Sequence, residues 1–173
     1  RGIKGIAESL DREIGRWGLT TSDKKAILSR IQPSTDLTIA DEAEVILEAI
    51  PEDLGAKRTL FERLDPICNR NSIIITCTAT LSISEIAAST ERPEKVIGMH
   101  FLNPVVRIPV VEIIKGLKTD ERTFQRAVQF AEMLDKNWIT VIEYPGYVTT
   151  RIIVPLLNEA MHVLMEGVAS AED

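Results

Sequence analysis

Glu94-Lys95-Val96-Ile97-Gly98-Met99-His100-Phe101-Leu102-Asn103-Pro104 is the stretch on which the reading of the fold turns. Val96, Ile97 and Met99 make a short apolar run between charges on one side and Asn-Pro on the other, the pattern of a buried strand with His100 at its end. The next apolar run, Ile108-Pro109-Val110-Val111-Glu112-Ile113-Ile114, carries one acid in its middle, and an unpaired carboxylate there would be costly to bury. Glu112 therefore needs a partner. If the segment from Phe101 to Arg107 reverses the chain, His100 is a candidate, and an imidazole oriented by a carboxylate is suited to moving a proton near neutral pH. The plainer alternative is that a lone His at a strand end packs with its needs satisfied and has no chemical role.

Outward from this pair, the pattern is that of an α/β protein with a doubly wound, Rossmann-type sheet. Glu44-Val45-Ile46-Leu47-Glu48-Ala49-Ile50, bounded by acids and Pro51, reads as a buried parallel strand. Leu54, Leu60, Phe61 and Leu64 then share a helical face, and residues 72–76 form a second strand. This alternation with short connections predicts a parallel sheet covered by helices. Ser82 with Glu85 has the spacing of a capping box ahead of a short helix. Thr119 is the expected cap of a helix reaching Leu134, and a strand from Trp138 to Ile142 follows. Ile3, Ile6, Leu10, Ile14 and Trp17 place the start of the sequence inside an amphipathic helix, with a second short helix over residues 24–30.

Tyr144-Pro145-Gly146 breaks the pattern, so residues 1–143 are expected to form one domain and residues 144–173 to open another. The helix from Val148 to Leu164 is apolar on more than one side, which calls for neighbours on several sides and predicts a homodimer through this helical part. Gly167 closes it, and Ser170 with Asp173 reads as the cap of a further helix.

Composition narrows the function classes. The 173 residues carry a net charge of −6, with 45% hydrophobic and 27% charged side chains, the balance of a globular protein rather than a disordered one. No basic stripe is present, which argues against nucleic acid or an anionic membrane as the main partner. Arg151, Asn158 and Glu159 interrupt the longest apolar run, so no membrane span or signal peptide is expected. Cys68 and Cys77, without a C-x-x-C, suggest reduced thiols in a cytoplasmic protein and no metal site. None of the nine glycines makes the G-x-G-x-x-G turn of a dinucleotide site.

Taken together, Leu81-Ser82-Ile83-Ser84-Glu85-Ile86-Ala87, the block from Arg92 to Val105, Val110-Val111-Glu112-Ile113-Ile114, Tyr144-Pro145-Gly146-Tyr147-Val148 and Asn158-Glu159-Ala160 resemble the 3-hydroxyacyl-CoA dehydrogenase family, which includes 3-hydroxybutyryl-CoA dehydrogenases. The likeness runs from about Ile6 to Asp173. In that family the phosphate-binding loop lies just upstream of the first residue here. The chain is thus expected to lack the first strand-helix-strand unit and most of the helical domain.

The resemblance implies oxidation of a 3-hydroxyacyl-CoA to the 3-ketoacyl-CoA with NAD, His100 acting as general base and Glu112 fixing its tautomer and favouring the imidazolium. It also implies NAD contacts at Ala49, Glu52, Lys57 and Asn103, and coenzyme A contacts at Ser9 and Arg16, which lie two helical turns apart on one face. Glu52 is otherwise an ordinary acid for a helix's first turn, and Lys57 an ordinary solvated helix residue. Two family positions are changed. The serine that hydrogen-bonds the reacting oxygen falls on Ala79, and the asparagine before Arg151 falls on Thr150. Losing one donor to a reacting oxygen costs on the order of 10²-fold in rate, and in an extended chain Thr78 and Thr80 face away from Ala79. These changes raise two alternatives: a non-catalytic relative that binds acyl-CoA or nucleotide or serves structurally, and a dehydrogenase for a different hydroxy acid.

Overall fold

A computed structural model describes residues 2–15 and 18–173. The chain divides into two compact units, one up to Ile39 and one over Ala40–Asp173. The first holds helices α1 (Gly2–Ile14) and α2 (Thr21–Ser29). Thr20 caps α2 in a full capping box with Asp23, and Lys24 Nζ reaches Asp11 Oδ1 at 2.5 Å. Trp17 lies outside the described residues.

The second unit is built on five strands, β1 (Val45–Glu48), β2 (Ile73–Thr76), β3 (Val96–Phe101), β4 (Val110–Lys115) and β5 (Asn137–Ile142), side by side in sequence order. The strands β1, β2 and β3 are parallel. The chain then reverses, so β4 runs antiparallel to β3 and β5 parallel to β4. This one reversal settles where the helices go. Right-handed crossovers put α3 (Leu54–Leu64) and α4 (Ile83–Ala87) on one face, and the same handedness with strands pointing the other way puts α5 (Glu121–Met133) on the opposite face.

The core follows the pleat. Ile73, Ile75, Ile97, Met99, Val111 and Ile113 bury against Phe124, Ala127, Val128 and Ala131 of α5. The alternate residues Ile74, Val96 and Ile114 pack with Phe61, Ile83, Ile86 and Tyr147 on the other face. Gly98 lets α4 sit close there: a Cβ on it would lie 2.6 Å from Ile83 Cδ1 and 3.1 Å from Ile114 Cβ.

Three expectations shift. Strand β1 is not fully buried, since Leu47 is 44% exposed. Asp120, not Thr119, caps α5, accepting from Thr123 N, while Thr119 Oγ1 donates to the Val96 carbonyl. Ser82 caps α4, but its hydroxyl donates to Glu143 of the segment after β5, so the pattern read as a local capping box is a long-range tie. The final helix, α6 (Thr149–Met165), leaves every residue from Arg151 onward exposed, including Ile152, Leu156, Leu157 and Met161.

Candidate active site

Residues that follow the ends of parallel strands β1, β2 and β3 gather at one edge of the sheet, where α/β proteins place their ligands. His100 and Glu112 meet at this edge. They are direct cross-strand partners in the β3–β4 pair, so the pleat sends both side chains to the face shared by α4 and Tyr147. His100 Nδ1 lies 2.5 Å from Glu112 Oε2; the imidazole is 14% exposed and the carboxylate fully buried. An ionised carboxylate can only accept, which puts the imidazole proton on Nδ1 and leaves Nε2 as the basic nitrogen.

The other carboxylate oxygen has partners that no local pattern announced. Glu112 Oε1 accepts the backbone N–H groups of Val148 and Thr149, each at 2.9 Å. These are orphan donors at the start of α6, where Val148 supplies no side-chain cap. Gly146 and Tyr147, with φ of 80° and 46°, turn the chain just ahead of them. The buried acid is thus satisfied by an imidazole and a helix N-terminus together. Tyr144-Pro145-Gly146 did signal a break followed by a helix; nothing in the pattern said that its free amides would land on Glu112. The Tyr147 ring stands 5.7 Å from the His100 ring, tilted by 56°.

A second cluster lies at the ends of β1 and β2. Glu52 Oε1 accepts from Thr78 Oγ1 (2.6 Å), Ala79 N (3.0 Å), Thr80 N (3.0 Å) and Thr80 Oγ1 (2.9 Å). Its partial burial disfavours the charge, but these hydrogen bonds outweigh that and hold its carboxyl below the usual glutamate range. Thr78 Oγ1 also accepts from Leu81 N at 2.9 Å, so residues 78–81 form a turn. The extended geometry that would separate Thr78 and Thr80 from Ala79 does not apply.

A family model described as "3-hydroxyacyl-CoA dehydrogenase, NAD binding domain" matches residues 1–144. The chain belongs to the 3-hydroxyacyl-CoA dehydrogenase family. It is 40% identical over 171 residues to a probable 3-hydroxybutyryl-CoA dehydrogenase of Bacillus subtilis, covering 99% of this chain and 60% of that protein. It is 36% identical over 177 residues to the mitochondrial hydroxyacyl-coenzyme A dehydrogenase of Homo sapiens, covering 98% of this chain and 56% of that one. Among solved structures, the (S)-3-hydroxybutyryl-CoA dehydrogenase of Ralstonia eutropha superposes with a TM-score of 0.91 at 40% identity, covering 99% and 60%. The chain therefore spans about 60% of the length of such relatives. Its mostly parallel sheet with flanking helices is the Rossmann-like fold of this dehydrogenase family, and NAD is the cofactor that goes with the matched domain.

Against that family background the other expected residues fall into place unevenly. Ala49 and Asn103 are exposed at the same sheet edge, after β1 and β3, and Ala79 is half-buried in the turn held by Glu52. Thr150 is half-buried in the first turn of α6. Ser9 lies exposed on α1, in the first compact unit, and Arg16 falls outside the described residues. Lys57 departs from the reading of a solvated helix residue: it is fully buried, with Nζ 2.7 and 3.0 Å from the two oxygens of Glu48, 2.9 Å from the Cys77 carbonyl and 3.2 Å from that of Ile50. Three ammonium protons against four acceptors leave none to spare. Glu48, itself fully buried, also accepts from Thr76 Oγ1 at 2.7 Å and Ile50 N at 2.6 Å. Sequence reading missed this network, because a Lys and a Glu nine apart on a helix and a strand are ordinarily solvated.

Proposed function

We propose that the whole protein is an NAD-dependent dehydrogenase that oxidises a 3-hydroxyacyl-CoA to the 3-ketoacyl-CoA, His100 taking the hydroxyl proton. The observation that carries this is the His100–Glu112 pair: a buried carboxylate 2.5 Å from Nδ1, with Nε2 left to accept. Glu112 holds the ring in that tautomer and offsets the positive charge it gains, the division of labour expected of an oriented general base. The helix amides on Oε1 keep the carboxylate from turning away.

The residues at the sheet edge fit the nicotinamide-ribose end of NAD. Oε1 of Glu52 is taken up by the turn, whereas Oε2 takes none of those four bonds, so a carboxylate oxygen is available to ribose hydroxyls. Asn103 adds an exposed amide at the same edge. Lys57 would act by holding Glu48 and the Ile50 and Cys77 carbonyls in place. Bound NAD supplies the hydride acceptor. Ser9 and Arg16 would serve coenzyme A, a hydroxyl and a guanidinium suiting its phosphate.

We further propose that residues 144–173 open a second, helical domain and that α6 is covered in a homodimer; its support is the row of exposed apolar residues that includes Ile152, Leu156 and Leu157. A cytoplasmic setting fits Cys68 and Cys77, both free thiols, and burial pushes the Cys77 thiol up to about 11, where it is poorly reactive. No described helix is long and apolar enough to cross a membrane.

Following NADH absorbance with acetoacetyl-CoA on the full-length protein tests the assignment. Turnover that disappears in His100→Ala is the expected result. The second reading, a relative that binds acyl-CoA or nucleotide without turnover, rests on Ala79 and Thr150; coenzyme A binding with no more turnover than His100→Ala would establish it and overturn the first.

A further inference from the structure

Tyr147 joins the two halves of the candidate site. Its ring lies 5.7 Å from that of His100, while its hydroxyl donates to the Leu81 carbonyl at 3.1 Å, in the turn that Glu52 and Thr78 hold together. It is 3% exposed and packs with Ile74, Ile83, Ile86, Val96 and Ile114, so the phenol is fixed at both ends. Its backbone is as constrained as its side chain. A non-glycine residue at φ 46° is uncommon and persists only where surrounding contacts demand it. The next two N–H groups, those of Val148 and Thr149, are the ones that bind Glu112.

Resting on the dehydrogenase reading above, we propose that Tyr147 is a positioning residue: it locks the turn carrying Ala79 to the His100–Glu112 pair, so that base and substrate-facing turn keep one geometry. One side of the imidazole is walled by the phenol ring, its Nδ1 is held by Glu112, and Glu112 is held by amides that Tyr147's own backbone aims. A phenol suits this place because it stays a donor. Burial, followed by the carboxylates of Glu52, Glu143 and Glu112, pushes its pKa up, against a hydrogen bond with Thr78 that pulls it down. At neutral pH it donates to Leu81 without competing for the proton that His100 moves.

Tyr147→Phe in the full-length protein removes the tether and keeps the ring. Losing one neutral hydrogen bond from the locked geometry predicts kcat down roughly 5- to 10-fold, with KM for acetoacetyl-CoA within about twofold. The second readout needs neither substrate nor cofactor. Nitrogen-15 NMR of labelled histidine distinguishes the Nδ1–H from the Nε2–H tautomer, and the signal that disappears in His100→Gln is that of His100. A single Nδ1–H tautomer in the parent and a mixture in Tyr147→Phe is the expected result. Tyr147→Leu, which removes the ring as well, should lose at least tenfold more in kcat. An unaltered kcat and an unaltered imidazole spectrum in Tyr147→Phe overturn the proposal, as does a lowered Tm with both unchanged, which would make the tyrosine a packing residue only. If the parent shows no turnover, the dehydrogenase reading fails, and the imidazole spectrum alone decides whether Tyr147 positions His100.

Discussion

Replacing Lys57 by Met should unsettle this protein more than an average substitution. The side chains of Lys57 and Glu48 are both fully buried, and the ammonium supports two carboxylate oxygens and two carbonyls. Met has about the right volume, so little is lost in packing. What is lost is the counter-charge to Glu48 and the donor to the Cys77 and Ile50 carbonyls. Removing one partner of a buried ion pair costs about 3–5 kcal/mol, because the remaining charge is left without compensation. For a chain of this size each kcal/mol lowers Tm by roughly 2–4 °C, so the fall should be about 6–20 °C. The double variant Glu48→Gln/Lys57→Met removes the charge while Gln still accepts from Ile50 N or Thr76, and it should recover about 2 kcal/mol or more of that loss. Urea unfolding of the full-length protein, followed by circular dichroism, measures all three. A loss below about 1 kcal/mol in Lys57→Met, or a double variant no more stable than Lys57→Met, refutes this account of the pair. A fall in NADH affinity with stability intact would instead make Lys57 a direct cofactor contact.

Glu112→Gln should lower kcat on the order of 10³-fold, since an amide cannot accept from both the imidazole and the α6 amides, and its NH₂ group disturbs one or the other; a loss under tenfold in the NADH assay would contradict the orienting role. Ala79→Ser should raise kcat, by on the order of tenfold or more, if the turn held by Glu52 faces the reacting oxygen; an unchanged rate places that oxygen elsewhere. Glu52 has a depressed carboxyl pKa, so its contribution to stability is present above its ordinary value of 4.5 and is lost as pH falls below that through the folded value. Thermal melts of Glu52→Gln should accordingly differ from the parent at neutral pH and converge with it in acid. Gly98→Ala should cost about 1–3 kcal/mol in a urea melt, because the new methyl would meet Ile83 at 2.6 Å and Ile83 is fully buried.

The outline of the fold and the central pair were legible without coordinates for one physical reason: burying charge is expensive. An acid inside Val110-Val111-Glu112-Ile113-Ile114 had to find a partner, and the preceding strand ended on the one residue type that could serve. Apolar runs and their spacing likewise marked β1 to β5 and the crossover helices, because each element must hide one face.

Only the tertiary structure decided what surrounds them. The Val148 and Thr149 amides reach Glu112 across 36 and 37 positions of chain, Ser82 turns to Glu143 across 61, and Glu52 gathers a turn 26 to 28 residues away. Lys57 looked like a solvated helix residue, because the ion pair that permits its burial comes from a neighbouring strand. A backbone amide carries no mark in the residue string, and a buried charge looks like an exposed one. Local pattern records which groups need partners; which partners they find depends on where the reversal between β3 and β4 carries the rest of the chain.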